Sequence, residues 1–142
     1  MAGPAVSFPL AVAVRTYKAL AHPVRLRLLA MLQGGDLCVC QMTAATGLAA
    51  STVSAHLSDL KSAGLLVERK EGRWVSYAWN TDPEARRVRA EVQRRLRGDP
   101  QVAADARLLQ ELRTVGVDEL CRVELDLKRL GIRRPSPAMI RP

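Results

Sequence analysis

Apolar residues recur along the chain first with a helical period, then with a strand period, then with a helical one again. Pro9, a favourable first-turn residue, opens a predicted helix running to about Ala21. His22-Pro23 interrupts it and starts a second helix, "PVRLRLLAMLQ", in which Val24, Leu28, Leu29 and Leu32 share one face. Gly34-Gly35 ends that helix. Asp36 is the predicted N-cap of a short helix from Leu37 to about Thr46, closed by Gly47. After the turn "GLAA", Val53, Leu57 and Leu60 stripe a helix from about Ser51 to Ala63, which Gly64 terminates. The runs "LLVERK" and "RWVSYAW" flank a turn around Glu71-Gly72. Alternation puts Val75, Tyr77 and Trp79 on one face, the pattern of a β-hairpin.

Downstream the helical period returns. Asp82-Pro83 opens a helix to about Arg97 whose narrow stripe of Ala85, Val88, Val92 and Leu96 suits packing on another helix. Asp99-Pro100 repeats the cap-plus-proline signal for a helix to about Thr114, stopped near Gly116. A last helix is predicted from about Asp118 to Leu130, with Leu120, Val123, Leu127 and Leu130 on one face. Helix, tight turn, helix, hairpin is the order of a winged helix-turn-helix. The fold class is therefore mainly α with a β-hairpin wing and extra C-terminal helices. The expected divisions are a loose arm over 1–8, a DNA-binding and dimerisation domain over 9–97, a helical extension over 98–132 and a proline-rich, disordered tail over 133–142.

Charge adds a partner to this picture. The net charge is +8, which favours a polyanion, with nucleic acid the leading candidate. The second helix of the helix-turn-helix offers Ser51, Thr52, Ser54, His56 and Lys61 on its polar side, suited to base edges and phosphates. Arg69, Lys70 and Arg73 cluster on the wing, placed to grip the backbone beside a groove. The arginines of the 83–97 helix are expected to form a solvated face around a dimer contact. "FPLAVAV" is too short to span a membrane and makes a poor signal peptide, so the expected location is the reducing cytoplasm.

Of the three cysteines, Cys38 and Cys40 stand one residue apart in "LCVC". Residues so close rarely meet disulfide geometry. What remains is two small buried hydrophobes, a redox pair, or two ligands for a soft ion.

"ALAHPVRLRLLAML", "LCVC" and "STVSAHLSDLKSAGLLVERKEGRWVSYAW" together resemble the ArsR/SmtB family of bacterial metal-sensing repressors, over roughly residues 18–80. The resemblance implies a homodimer on a palindromic operator, released when an inducer binds. Ala49-Ala50 departs from the polar residues that family members often carry there. The family's zinc and nickel sites on the long helix use His, Asp and Glu, and the 83–97 helix here has no histidine. Arsenic-responsive members carry a similar "CVC", usually with a further Cys three residues on, where this chain has Thr43.

The implied inducer is As(III) or Sb(III), soft ions that favour thiolates. Cys38 and Cys40 are its candidate ligands, with Cys121, from the same chain or a partner, as the third. On a regular helix Cys38 and Cys40 point about 200° apart, so the first turn has to loosen for both to reach one ion. The helix N-terminus is expected to lower their pKa values. Two rivals keep the fold: Cd(II) or Pb(II) sensing, with Asp118 or Glu124 supplementing the sulfurs, and a thiol switch between Cys121 and Cys38 or Cys40, responsive to oxidants or persulfide. An enzyme is not expected, because neither C-x-x-C nor a nucleophile-plus-base set is present. A constitutive architectural DNA-binding protein would leave the cysteine pair unexplained.

Overall fold

A computed structural model of the chain describes residues 9–123 and 125–134. The arm over 1–8, Glu124 and residues 135–142 of the expected tail lie outside them. Helices α1 (Pro9–Leu20) and α2 (Pro23–Met31) meet at His22. Its backbone is extended and its Nδ1 accepts the Val24 N–H at 3.1 Å, so the His-Pro pair caps the helix it starts. A 3₁₀ turn over Leu32–Gly34 leads into β1 (Leu37–Cys38), α3 (Val39–Thr46) and α4 (Ala50–Ser62). Gly47, at φ 72°, makes the left-handed turn that ends α3. The wing is β2 (Leu66–Glu71) and β3 (Trp74–Trp79), followed by α5 (Pro83–Arg95), α6 (Pro100–Arg113) and α7 (Val117–Arg122). Asp82 and Asp99 cap α5 and α6 as their sequence signals require.

The sheet runs β1-β3-β2, antiparallel throughout. Strand β1 explains the first departure from expectation. Leu37 pairs with Tyr77 and Cys38 with Ser76, which keeps the chain extended through Cys38. The N-cap of α3 is therefore Cys38, whose N–H donates to Gln41 Oε1 at 2.8 Å. Asp36 caps nothing and instead accepts from Arg69 at 2.9 Å.

The second departure is the last helix. It ends at Arg122; Leu125 takes a left-handed φ of 61°, and a separate 3₁₀ turn covers Leu127–Leu130. Leu120, Val123 and Leu127 are still buried and Leu130 half-buried, so the apolar pattern marked the inward side but not one continuous helix.

One core serves the described residues. Leu28, Leu29, Leu32, Leu37, Met42, Leu57 and Leu60 from the winged region are sealed together with Leu108, Leu112 and Leu120 from the C-terminal helices. Helix α6 is tied to α2 by Asp105, which is 4% exposed and accepts from Arg27 Nε and Nη2 at 3.0 Å each and from Gln101. Arg134, from the segment read as tail, donates to the carbonyls of Ala45 and Ala44 at 2.7 and 2.8 Å.

Candidate nucleic-acid interface and thiol site

Helix α4 buries Val53, Leu57 and Leu60 and leaves Ser51, Thr52 and Ser54 exposed at its N-terminal end. That amphipathic split presents the hydroxyls as one surface. His56 differs from its exposed neighbours. It is half-buried, its ring lies 4.3 Å from that of His22, and its Nδ1 accepts from Arg25 Nε at 3.2 Å. Arg25 also donates to Asp59, at 3.2 Å, and to the carbonyls of Lys18 and Ala19. His56 thus ties α4 to the junction of α1 and α2. Burial, then the adjoining His22 and Arg25, hold its pKa below the ordinary 6.5.

Each cation proposed for DNA contact is paired across the surface. Lys61 and Lys70 both reach Glu68, Arg69 reaches Asp36, and Arg73 reaches Asp118 at 3.2 Å while lying over the Trp74 ring. Lys61 sits in the last turn of α4, away from the hydroxyls. Exposed pairs of this kind are worth little, so phosphates can replace the carboxylates at small cost.

The cysteines converge in part. Cys40, in the first turn of α3, places its Sγ 3.2 Å from that of Cys121 on α7, 81 residues along the chain. Cys38 is buried at the N-cap. Among the described residues, no group of three His, Cys, Asp or Glu side chains is gathered closely enough to hold a metal ion. The expected pKa lowering is reversed at Cys40. Burial, the hydrogen bond with Cys121 and the neighbouring Cys38 and Cys121 sulfurs push its thiol up to about 12. Loss of hydration and sulfur crowding outweigh the helix terminus.

A family model described as "Bacterial regulatory protein, arsR family" matches residues 22–67. The winged helix-turn-helix DNA-binding domain of a homodimeric possible ArsR-family transcriptional regulator from Mycobacterium bovis is 37% identical, with 66% of this chain covering 87% of that one at a TM-score of 0.55. The chain belongs to the arsR family. Another structure, HlyU from Vibrio cholerae, is 32% identical over 62% of this chain and 95% of that one, with a TM-score of 0.57. The arsenic resistance transcriptional regulator ArsR1 of Pseudomonas putida is 42% identical over 62 residues, which are 43% of this chain and 48% of that protein. The chain spans about half the length of the curated relatives it matches.

ArsR-family proteins are transcriptional regulators, not enzymes. No described helix of this member is long and apolar enough to cross a membrane. Within the arsR-family core, Arg25 is a further functional residue that the sequence does not single out. Its partners lie as far as 34 residues away, so no local periodicity reports it. Asp118, expected as an accessory ion ligand, accepts from the wing's Arg73.

The lowered pKa of His56 fixes a sign. The unfolded chain binds this proton more readily than the folded one, so the contribution of neutral His56 is complete above pH 6.5 and is lost as pH falls below it. Denaturant unfolding should therefore show stability declining on acidification below 6.5, less steeply in His56→Gln, and NMR titration should place His56 below free histidine. A His56 pKa at or above the ordinary value would refute this.

Proposed function

We propose that the protein is a cytoplasmic transcriptional repressor that binds operator DNA as a homodimer and releases it when As(III) or Sb(III) binds its cysteine thiolates. The observation that carries this reading is the Cys40–Cys121 contact at 3.2 Å. Two sulfurs so close are within reach of one ion bonded at about 2.3 Å to each, a normal metal–thiolate length. Cys38, two residues before Cys40 and within electrostatic reach of it, completes the thiolate set once the first turn of α3 loosens. The donor set is all sulfur and therefore fits soft ions. Ser51, Thr52 and Ser54 meet the DNA groove, with Lys61, Arg69, Lys70 and Arg73 on phosphates and His56 bracing α4.

Helix α3 joins input to output: one end carries Cys40, and its buried side packs on α4. An ion that draws α3 toward α7 shifts the base on which the recognition helix rests. By linkage, operator DNA weakens the ion's binding by the same factor. Fluorescence anisotropy on upstream DNA should show release by arsenite or antimonite under reducing conditions, blunted in Cys40→Ser and Cys121→Ser. DNA binding unmoved by either ion would eliminate the metalloid reading. The same contact favours a second reading, oxidation of Cys40 and Cys121 to a disulfide, and release by oxidant without any ion would support it.

The raised thiol pKa separates trivalent from divalent inducers. At neutral pH Cys40 is protonated, so Cd(II) or Pb(II) must expel that proton. Their affinity should rise about tenfold per pH unit for each proton displaced. Arsenite arrives as As(OH)₃, and its hydroxides leave with the thiol protons as water, so its affinity should stay nearly flat between pH 6 and 8. A steep arsenite profile would contradict this stoichiometry.

Dimerisation is supported by α1. Leu10, Val14 and Tyr17 lie on one stripe, 77%, 43% and 70% exposed, beside a groove of about 440 Å³ that Thr16 and Leu20 share with Val88 and Arg94 of α5. Light scattering should report a dimer for the wild type and a monomer for Val14→Glu/Tyr17→Glu. A monomeric wild type at DNA-binding concentrations would count against the homodimer.

A further inference from the structure

Among the described residues, Thr43 Oγ1 is the buried side-chain polar atom that has no hydrogen-bond partner. The residue is 5% exposed. Its backbone carbonyl is fully used, accepting from the Gly47 N–H at 3.0 Å and from Thr46 Oγ1 at 3.2 Å, so the deficit belongs to the hydroxyl alone. A buried hydroxyl without a partner is costly, and a valine of nearly the same shape would remove the cost.

Its position indicates what it lacks. Thr43 stands three residues beyond Cys40 on α3, and side chains at that spacing are neighbours on a helix surface. Helix α7, which brings Cys121 to Cys40, packs against the same helix. A thiol sulfur is a weak acceptor, whereas a sulfur that has given up its proton to bind an ion is a stronger one. The protein therefore has an idle buried donor one helical turn from a sulfur that becomes a stronger acceptor only when an ion ionises it.

We propose that Thr43 is a positioning residue of the thiol site, its hydroxyl donating to the Cys40 sulfur when that sulfur is an ion-bound thiolate. The inference rests on the ion-binding reading above. The bond absent from the ion-free protein is made in the ion-bound one, so the hydroxyl adds to ion affinity at the expense of ion-free stability. No covalent change occurs at Thr43 itself.

The test compares wild type, Thr43→Val, Thr43→Ala and Thr43→Ser in the full chain, with a phosphine reductant. Sodium arsenite is titrated while the near-ultraviolet sulfur-to-arsenic charge-transfer band is followed, and the melting temperature is recorded without ion. Thr43→Val should melt a few degrees higher yet bind arsenite about fivefold more weakly, the scale of a net protein hydrogen bond. Thr43→Ser should keep near-wild-type affinity and band position. A merely structural role would move melting without moving affinity or the band. Should the valine variant misfold, Thr43→Ala decides the matter by the same titration.

Arsenite affinity unchanged by loss of the hydroxyl would overturn the role of Thr43 while leaving the ion site standing. A wild type with no charge-transfer band would overturn the ion site itself, and this inference with it.

Discussion

Helix α3 is packed against α4, α6 and α7, and burial of its short apolar face is the constraint on which the remaining structure depends. Met42, Ala44 and Ala45 are almost entirely withdrawn from water. Two alanines there let the flanking helices come close, and one methionine fills the space between them. In so dense an arrangement a helix cannot shift alone, since displacement at one end opens voids or forces overlaps along the others. A helix of only 8 residues, unstable by itself, is thus held rigidly between Cys40 at one end and the buried side of α4.

Electrostatics act more loosely on the same frame. Arg69 joins the wing to Asp36, just before Cys38, and Arg73 joins it to Asp118, one turn before Cys121. The wing is thereby tied on both flanks to the segments that carry thiols, through pairs weak enough for phosphates to exchange. The Arg27–Asp105 pair does the opposite work, fixing α6 to α2 through a buried carboxylate that a half-buried guanidinium meets with two bonds.

Much of this was legible in the sequence. The winged order followed from the change of period and from glycines or prolines at the joints, because those residues act through local backbone preferences. The thiol pair was legible as an unusual spacing in a cysteine-poor chain. Other features were not legible, for identifiable reasons. Asp36 looked like a cap because nothing local reveals that Leu37 and Cys38 pair with a strand some forty residues later. The last helix looked continuous because its leucines keep their period, while the reversal at Leu125 places a leucine in a region that side chains disfavour. The inward turn of His56 and the high Cys40 pKa depend on neighbours that only the folded chain brings together.

Arg134 gives the segment after Leu130 a part in the helix-turn-helix itself. Its guanidinium meets the last carbonyls of α3, where the helix dipole is negative, and fills the space beside Gly47 so closely that a Cβ there would come within 3.1 Å of it. The turn between α3 and α4 is thus completed by a residue about ninety positions downstream. A truncated chain that kept the whole family core but stopped short of Arg134 would lose the donor that meets the Ala44 and Ala45 carbonyls, so a residue beyond that core completes the end of α3.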